Sequence, residues 1–428
     1  MTDVCVGINQ GQINQLLAQV YQKTHDQLFK GHGLPLDFDS TEVVLDFDIT
    51  APPVVELTSS VDATLVGAAL VEAAAQHPEV KGAGVPVAPE AHAEHIATLL
   101  AGAPGLTITI DPMVITFSSG PESAPMQVTA VTQALITSAQ GKIGFQVIGT
   151  KVQSSGPPFQ QWLTTHFIQP KISQIIAQAL GGASFAIPAI PGVPLSPFVV
   201  GVVEGSLIAV ANIGGRLPPV PTQAVPGQGA PFFVALDNAA LQAATQTAIG
   251  RGVALNGGDS SGGSVFGVHY NYSFSAVNPQ VQVQGNQIAA TFSLSGSAGA
   301  GANIFWVPVG IGVDIGASPN PTLIANVIPH GSSVSVVSAQ ALDFNLSVNL
   351  SGPVGKLLGW MVDWLLSSIA NALKPQILGY LRGINFATLN IPVITQPIGN
   401  SSITITPNLT SVSGGPGMII LNGALAAS

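Results

Sequence analysis

The sequence has very little charge. Charged residues make up 7% of its 428 residues, against roughly 25% in typical soluble domains. Eleven Lys and Arg stand against 21 Asp and Glu, so the net charge is -10, and no run of basic residues occurs. Because nucleic-acid binding relies on cations that neutralise phosphates, we expect no nucleic-acid partner. The same shortage argues against electrostatic docking on anionic membranes.

Long apolar runs and cysteine pairs are also missing. Mean hydropathy is high, at +0.47, but no stretch offers about 20 uninterrupted apolar residues, the length of a membrane helix. The best candidate, residues 353–373, contains Lys356 and Asp363. The single cysteine, Cys5, excludes an intrachain disulfide and suits a reducing compartment. The first residues lack the segments of a secretory signal, so the expected location is cytoplasmic, with export by a non-Sec route left open.

Glycine and proline indicate how the chain is divided. The 48 glycines and 33 prolines separate recognisable elements instead of forming one low-complexity tract. The densest stretch, residues 212–231, contains five prolines and lies near the middle of the chain. This composition predicts a semi-rigid linker. We therefore expect a first unit at residues 1–212, a linker at 213–231 and a second unit at 232–428.

The two units begin alike, which indicates a weak internal duplication. In each, a short apolar strand leads into a helix whose N-cap side chain can accept hydrogen bonds, Asn9 in the first unit and Asp237 in the second. Gln12 lies at the third helical position and predicts a capping box with Asn9. Apolar residues follow at helical spacing, so each helix is expected to bury one face.

Each unit also contains a long apolar helical pattern interrupted by proline. The patterns cover residues 157–180 and 353–381. Pro170 and Pro375 fall inside them. Because proline removes an interior hydrogen bond, we expect a kink or bend in each helix.

Between the helices, apolar residues alternate with Ser, Thr, Asn and Gln, which is the period of a half-buried strand. Residues 268–275 and 288–294 alternate on either side of residues 285–286, a Gly-Asn pair that predicts a tight hairpin. Short strands are expected at 206–211 and 418–421. The predicted fold class is α+β, in which each unit is a helix, an antiparallel meander, a long helix and a strand.

This order of elements, occurring twice, resembles the tubular lipid-binding (TULIP) superfamily, in the two-domain arrangement of bactericidal/permeability-increasing (BPI) protein and the clostridial P47-like proteins. The resemblance covers about residues 6–423 and rests on architecture, without a short diagnostic motif. It implies an elongated molecule with two tandem units, each a highly twisted antiparallel sheet wrapped around a long helix. Extracellular members have a signal sequence and a disulfide, so this chain is more similar to the bacterial P47-like members.

The resemblance implies a non-enzymatic lipid-binding or lipid-transfer protein that holds acyl chains in apolar tubular grooves without a cofactor. The expected ligand is a phospholipid, fatty acid or sterol, and transient membrane contact and protein partners are left open. For any single residue, ordinary core packing is the simpler interpretation. The candidate lipid-binding residues are Ile8, Ile13, Leu16, Leu17, Val20, Trp162, Leu163, Phe167, Ile172, Ile175, Ile176, Leu236, Leu241, Leu357, Met361, Trp364, Leu365, Ile369, Leu373 and Ile377.

Patterns for other chemistry are weak. His92 and His95 could bind a metal if a third ligand approached, but a solvated surface helix explains them more simply. Carboxylates at residues 37–42 and 46–48 could attract a hard cation, although they lack EF-hand spacing. Residues 310–316 are one position away from a dinucleotide-binding pattern and are expected in strands. We expect no catalytic residue and no metal site.

Three alternatives remain open. The first is a structural or interaction protein, such as a P47-like toxin-associated component, whose grooves are filled by its own side chains. The second is an adhesive or capsid-like β protein, which the polar strands allow but the long apolar helices do not suit. An enzyme comes last, because Cys5 is expected near a mobile terminus without an activating partner.

Overall fold

The computed structural model consists of antiparallel sheets and a few helices. The sheets are highly curled half-barrels, and three seven-stranded sheets are described. The prediction of antiparallel meanders is confirmed, whereas two tandem units that each wrap a long helix stay a prediction. The structure describes residues 2–38, 41–61, 103–119, 122–139, 141–181, 184–186, 194–249, 253–262, 266–304, 307–318, 320, 322–341, 345–348, 367–373, 375–376, 391, 393–398, 401–415 and 417–428.

One sheet, here called the shared sheet, contains strands from both halves of the sequence. In spatial order its strands are β19 (Ile394–Ile398), β20 (Ser401–Gly415), β21 (Met418–Ala427), β11 (Phe232–Asp237), β1 (Val4–Asn9), β10 (Ser206–Ala211) and β9 (Val199–Val203). Strand β1 pairs with β10 on one side and with β11 on the other, so Ile8 stands opposite both Leu207 and Phe232. Main-chain hydrogen bonds therefore join the two halves directly.

A second sheet, the N-terminal sheet, is built from the first half alone. Its strands are β2 (Lys30–Phe38), β3 (Thr41–Ile49), β4 (Val54–Thr58), β5 (Gly105–Ser119), β6 (Glu122–Ala139), β7 (Lys142–Ser154) and β8 (Ser184–Ala186). On β3 the predicted alternation is confirmed, because Leu45, Phe47 and Ile49 are buried while Asp46 and Asp48 between them are not. The sheet thus turns one apolar face inward.

The third sheet, the C-terminal sheet, belongs to the second half. Its strands are β12 (Val253–Gly262), β13 (Phe266–Gln284), β14 (Gln287–Ile304), β15 (Val307–Ser318), β16 (Thr322–His330), β17 (Ser333–Ala341) and β18 (Asn345–Val348). The predicted Gly-Asn hairpin is confirmed, since β13 and β14 pair up to Gln284 and Gln287. Gly285 has φ +64°, which a residue without a Cβ adopts without strain.

The described helices lie between the strands in chain order. They are α1 (Gln10–Thr24) with a π-helical extension (His25–Phe29), α2 (Pro158–Leu163), a π-helical segment (Thr164–Ile168), α3 (Gln169–Gly181), α4 (Asn238–Ile249) and α5 (residues 367–373). Among the described helices, none is long and apolar enough to span a membrane. The predicted helix after Pro89 and most of residues 353–381 lie outside the described residues.

Both predicted helix caps are confirmed, but the capping box is wrong. Asn9 Oδ1 accepts a hydrogen bond from the Gln12 amide at 2.7 Å, and Asp237 Oδ1 accepts one from the Ala240 amide at 2.9 Å. The Gln12 side chain does not return to Asn9. It is buried, and its Nε2 donates to the carbonyl of Leu425 at 2.9 Å. A buried main-chain carbonyl without a hydrogen-bond partner costs more free energy than a missing capping bond, because water can replace the capping bond. The Gln12 side chain therefore binds the carbonyl of Leu425.

The kink or bend predicted at Pro170 stays a prediction, but the helix changes type just before this residue. Helical turns run from Pro158 to Gly181, and the segment Thr164–Ile168 within them is π-helical. Pro170 is the second residue of α3 and has no N–H to offer the carbonyl of His166. A wider turn before a proline is a common way to absorb this lost bond.

The largest hydrophobic cluster crosses between the halves. Leu16 on α1 and Leu57 on β4 belong to it together with Leu236 on β11 and Leu421 on β21. A second cluster lies between the N-terminal sheet and the α3 region, where Ile168 and other apolar side chains cover the sheet. The first cluster holds the candidate site described below.

The segment predicted to be a linker packs along the shared sheet. Val225 and Ala230 contact the sheet face that carries Phe233. Gln228 Nε2 donates to the carbonyl of Val203 at 2.7 Å, and the Asn9 amide donates to the carbonyl of Pro231 at 3.0 Å. These contacts fix the segment in place, and the division into two units stays a prediction.

Candidate functional site

The most apolar cavity described in the structure lies against the shared sheet. Its volume is about 110 Å³. All sixteen lining residues are apolar or glycine, and none offers a polar side chain. They are Val6, Gly7, Ile8, Ile13, Leu57, Leu106, Ile143, Phe145, Leu207, Ala209, Phe232, Ile391, Ile394, Ile405, Pro407 and Leu425.

The period of the strands explains the floor of the cavity. Successive side chains of a strand point to opposite faces, so Val6 and Ile8 of β1 share one face of the shared sheet. In the neighbouring strands, Leu207 and Phe232 are the partners of Ile8, and Ala209 is the partner of Val6. These side chains lie together because the register aligns them.

Helix α1 contributes Ile13 to the cavity lining and is held on both sides by polar side chains. Asn14 exchanges two hydrogen bonds with the Val55 main chain, at 2.9 and 2.7 Å, and Gln10 Oε1 accepts one from the Leu57 amide at 2.9 Å. Gln12 binds Leu425 on the opposite side, as described above. The side-chain amides of Asn14, Gln10 and Gln12 thus tie α1 to strands on both sides, and Ile13 of this helix faces the cavity.

The chemistry of the cavity limits what it can hold. No lining side chain can donate or accept a hydrogen bond, ionise or coordinate a metal. A water molecule needs about two to four polar partners to be stable in a cavity, so an apolar cavity of this kind stays dry. General acid–base or nucleophilic catalysis also needs a titratable group within reach. The arrangement suits an apolar ligand.

Two of the predicted lipid-binding residues, Ile8 and Ile13, line this cavity. Others lie in the same hydrophobic cluster without lining it. Of these, Leu17 and Val20 are partly buried. The fully buried members are Leu16, Leu236, Leu241, Ile369 and Leu373. Whether any of them contacts lipid stays a prediction.

The remaining predicted residues are placed elsewhere. Ile172, Ile175 and Ile176 pack on the N-terminal sheet. Leu163 and Phe167 are half-buried, and Trp162 is 45% exposed at the surface. Five more lie outside the described residues, namely Leu357, Met361, Trp364, Leu365 and Ile377.

Sequence patterns missed most of the cavity lining because it comes from strands. Leu207 and Ala209 lie in a strand that was predicted at residues 206–211, and β10 has those bounds. The alternation could have indicated their common face. It could not indicate that Ile143 and Phe145 of β7 would meet them, because pairing between distant strands leaves no local signal.

The remaining sequence predictions concern Cys5, residues 310–316 and metal binding. Cys5 was expected near a mobile terminus, which is wrong: it is buried in the interior strand β1, and this burial raises the pKa of its thiol to about 12. Residues 310–316 lie in strand β15, as expected. In the described part of the chain, no group of three or more His, Cys, Asp or Glu could hold a metal ion. His92 and His95 lie outside that part.

Comparison with known proteins gives little. No family model matches the chain, and no curated protein matches it. Among solved structures, the chain is similar to a crystal structure of lipopolysaccharide binding protein, with 11% sequence identity, 99% of each chain covered and a TM-score of 0.34. A similarity this low carries no conclusion about family or ligand.

Proposed function

We propose that this protein binds lipid, and that an apolar part of the ligand occupies the cavity against the shared sheet. The observation that carries the proposal is a cavity of about 110 Å³ whose sixteen lining residues are all apolar or glycine. An acyl chain or a sterol ring system is the kind of molecule that such a surface binds in preference to water. The protein is a carrier and not an enzyme in this proposal.

The volume sets the scale of binding. An engineered cavity of about 150 Å³ binds benzene, so about 110 Å³ takes roughly four carbon atoms. At about 0.8 kcal/mol per methylene, they contribute about 3 kcal/mol. This is less than the binding free energy of about 4 kcal/mol that corresponds to millimolar affinity. Tight binding of a long chain therefore requires that more of its carbon atoms are buried against protein surface next to the cavity. A fatty acid, a phospholipid tail or a sterol would each enter by one end.

The wider proposal is lipid transfer by two tandem TULIP-like units, each with its own groove. It is supported by the duplicated order of capped helix, meander and helix, and by the two confirmed caps. Transient contact with membranes belongs to the same proposal, because a carrier must collect and release its ligand.

The first prediction changes the size of the cavity. Phe232 lines it, whereas its neighbour Phe233 points to the opposite face of β11, and both are buried. Phe232→Leu should enlarge the cavity and strengthen the binding of longer or bulkier fatty acids. Ala209→Leu should fill it and weaken binding of all chain lengths. Affinity is measured by isothermal titration calorimetry with fatty acids of graded length.

The matched control is Phe233→Leu, which removes the same atoms from an equally buried position. It should lower stability without changing the preference for chain length. Solvent extraction of the purified protein and mass spectrometry should also find lipid in stoichiometric amount. Binding that is absent in the wild type, or altered equally by both Phe→Leu variants, would contradict the proposal.

A specific observation supports a second candidate, a structural or interaction protein with filled grooves. Between the N-terminal sheet and the helical residues 164–181, where three of the predicted lipid-binding residues lie, Met113, Ile115, Ala130 and Ile168 are each no more than 1% exposed. Side chains of the protein itself cover that surface. If solvent extraction finds no lipid and no fatty acid binds, this candidate takes precedence.

A further inference from the structure

Three aromatic side chains form an exposed ladder at the start of the α2 region. Phe159 is 65% exposed and Trp162 is 45% exposed. Their rings stack at 6.1 Å, and the ring of His166 stacks on Trp162 at 5.1 Å. We call Phe159, Trp162 and His166 the aromatic ladder. Single exposed apolar residues are ordinary, but stacked aromatic rings at the surface indicate an interaction site.

The ladder is held in shape before any partner arrives. Trp162 lies between Phe159 and His166 and also meets the edge of Phe167 at 5.5 Å. His166 Nδ1 is 2.9 Å from the carbonyl oxygen of Trp162, which can only accept, so Nδ1 donates. Because the rings are already ordered, little side-chain freedom is lost when they bind.

The part of the sequence that contains the ladder is poor in acidic residues. Residues 123–203 contain no Asp or Glu and three cations, Lys142, Lys151 and Lys171, although the chain as a whole has a net charge of -10. Lys151 lines a polar cleft of about 560 Å³ between β6, β7 and the α2 region. Asp111, from β5, shares the cleft, where its carboxylate accepts a hydrogen bond from Thr129 at 2.7 Å.

We propose that the aromatic ladder docks this protein on a lipid surface, an assignment that rests on the proposed function. Tryptophan favours the interface of a bilayer, where its ring lies among acyl chains and its N–H meets polar groups. The ladder is small, and the helical residues 158–181 that carry it include no Asp or Glu to repel lipid phosphates. Lys151 lines the cleft beside Gln161 and Thr165 of the same helical region and adds attraction to an anionic surface, against one carboxylate, Asp111, in that cleft. The overall negative charge of the chain therefore does not prevent docking through this region.

The test uses the full chain and vesicles of phosphatidylcholine, with and without phosphatidylglycerol. The double variant Phe159→Ser/Trp162→Ser should bind vesicles about tenfold more weakly or worse. The matched control is Leu217→Ser/Val220→Ser, which removes two side chains of 61% and 51% exposure elsewhere on the surface. The control should bind like the wild type, and anionic lipid should strengthen binding in a salt-dependent way.

A second measurement locates the contact directly. Brominated phosphatidylcholine should quench the tryptophan fluorescence of the wild type, and Trp162→Phe should lose that quenching while the other three tryptophans still fluoresce. Unchanged vesicle binding by the double variant overturns the proposal. So does equal loss in the double variant and the control, or a ladder that proves to join two copies of the chain in sedimentation experiments.

The experiments distinguish a failure of the membrane-docking proposal from a failure of the proposed lipid binding in the cavity. The double variant should bind a monomeric fluorescent fatty acid like the wild type, because the ladder does not line the cavity. Ala209→Leu should lose that ligand and keep vesicle binding. If vesicle binding is absent while the monomeric ligand still binds, the docking proposal falls and the proposed function stands.

Discussion

At the scale of single residues, the packing of the interior strand β1 requires a glycine at position 7. Gly7 lies in the shared sheet directly beneath the ring of Phe233, and a Cβ at this position would overlap that ring. Phe233 is 1% exposed and is packed by the segment before β11, so the ring has no free space to move into. Glycine is needed here for close approach and not for an unusual φ.

Gly7→Ala should therefore destabilise the protein by about 1–3 kcal/mol, the usual range for overpacking a core. Urea unfolding measures the change. Gly11→Ala is the matched control: the added Cβ would meet only Asn9 Oδ1 at 3.5 Å, an ordinary contact, within helix α1. It should stabilise by about 0.5–1 kcal/mol. Equal effects of the two substitutions would show that close approach to Phe233 is not what matters.

At the scale of elements, helix α1 is anchored by a histidine at its end. His25 Nδ1 is 3.2 Å from Asp26 Oδ1, and Nε2 is 3.1 Å from the carbonyl of Ile49. Both of these oxygens accept hydrogen bonds, so both ring nitrogens must donate to satisfy them. Both nitrogens carry a proton only in the protonated form of histidine. Asp48 lies 3.0 Å from Nε2, with Lys30 on its other oxygen at 3.8 Å.

The pKa of His25 is raised, chiefly by the hydrogen bond to Asp26; burial, the next largest effect, lowers it, and the Ile49 carbonyl and Asp48 raise it further. A raised folded-state pKa stabilises the protein fully below the unfolded pKa of about 6.5, and this contribution is lost as pH rises through the folded value. Urea midpoints should therefore fall across that window. His25→Gln should remove this part of the pH dependence.

His32→Gln is the control for the histidine anchor. The ring of His32 is 67% exposed, and its Nδ1 is 3.6 Å from Asp46, too far for a hydrogen bond. The substitution should leave the pH dependence as it is in the wild type. A wild-type slope retained by His25→Gln would mean that other groups cause it. The effect is modest in either case, because His25 and Asp48 are partly exposed.

Elements were predictable where the signal is local. The caps at Asn9 and Asp237, the strand at 206–211 and the hairpin at Gly285 all follow from neighbouring residues. Gln12 shows where local signals fail. Its sequence pattern predicted a capping box, but its side chain donates to a carbonyl 413 residues away. The cavity shares that limit: Ile8 and Ile13 were found on a helical or strand pattern, but their partners come from distant strands.

At the scale of the whole molecule, the two halves hold each other. Strand β1 pairs with β11 over five residue pairs, and α1 is fastened to the last strand, where Gln19 Oε1 accepts from the Ala427 amide at 2.8 Å and Lys23 Nζ donates to its carbonyl at 2.9 Å. The main hydrophobic cluster also contains residues from both halves. A break between the halves would expose both strand edges and apolar surface.

Fragments 1–212 and 213–428 should therefore fail to fold when expressed alone and form a one-to-one complex when refolded together. Size-exclusion chromatography and urea unfolding measure this. As a control, a protease site at the exposed Gln223 should be cleavable after folding without separating the halves, because the sheet and core remain intact. Two fragments that are each monomeric, with unfolding midpoints equal to that of the intact chain, would show that the units are independent. The shared sheet would then be a weak contact between two self-sufficient domains.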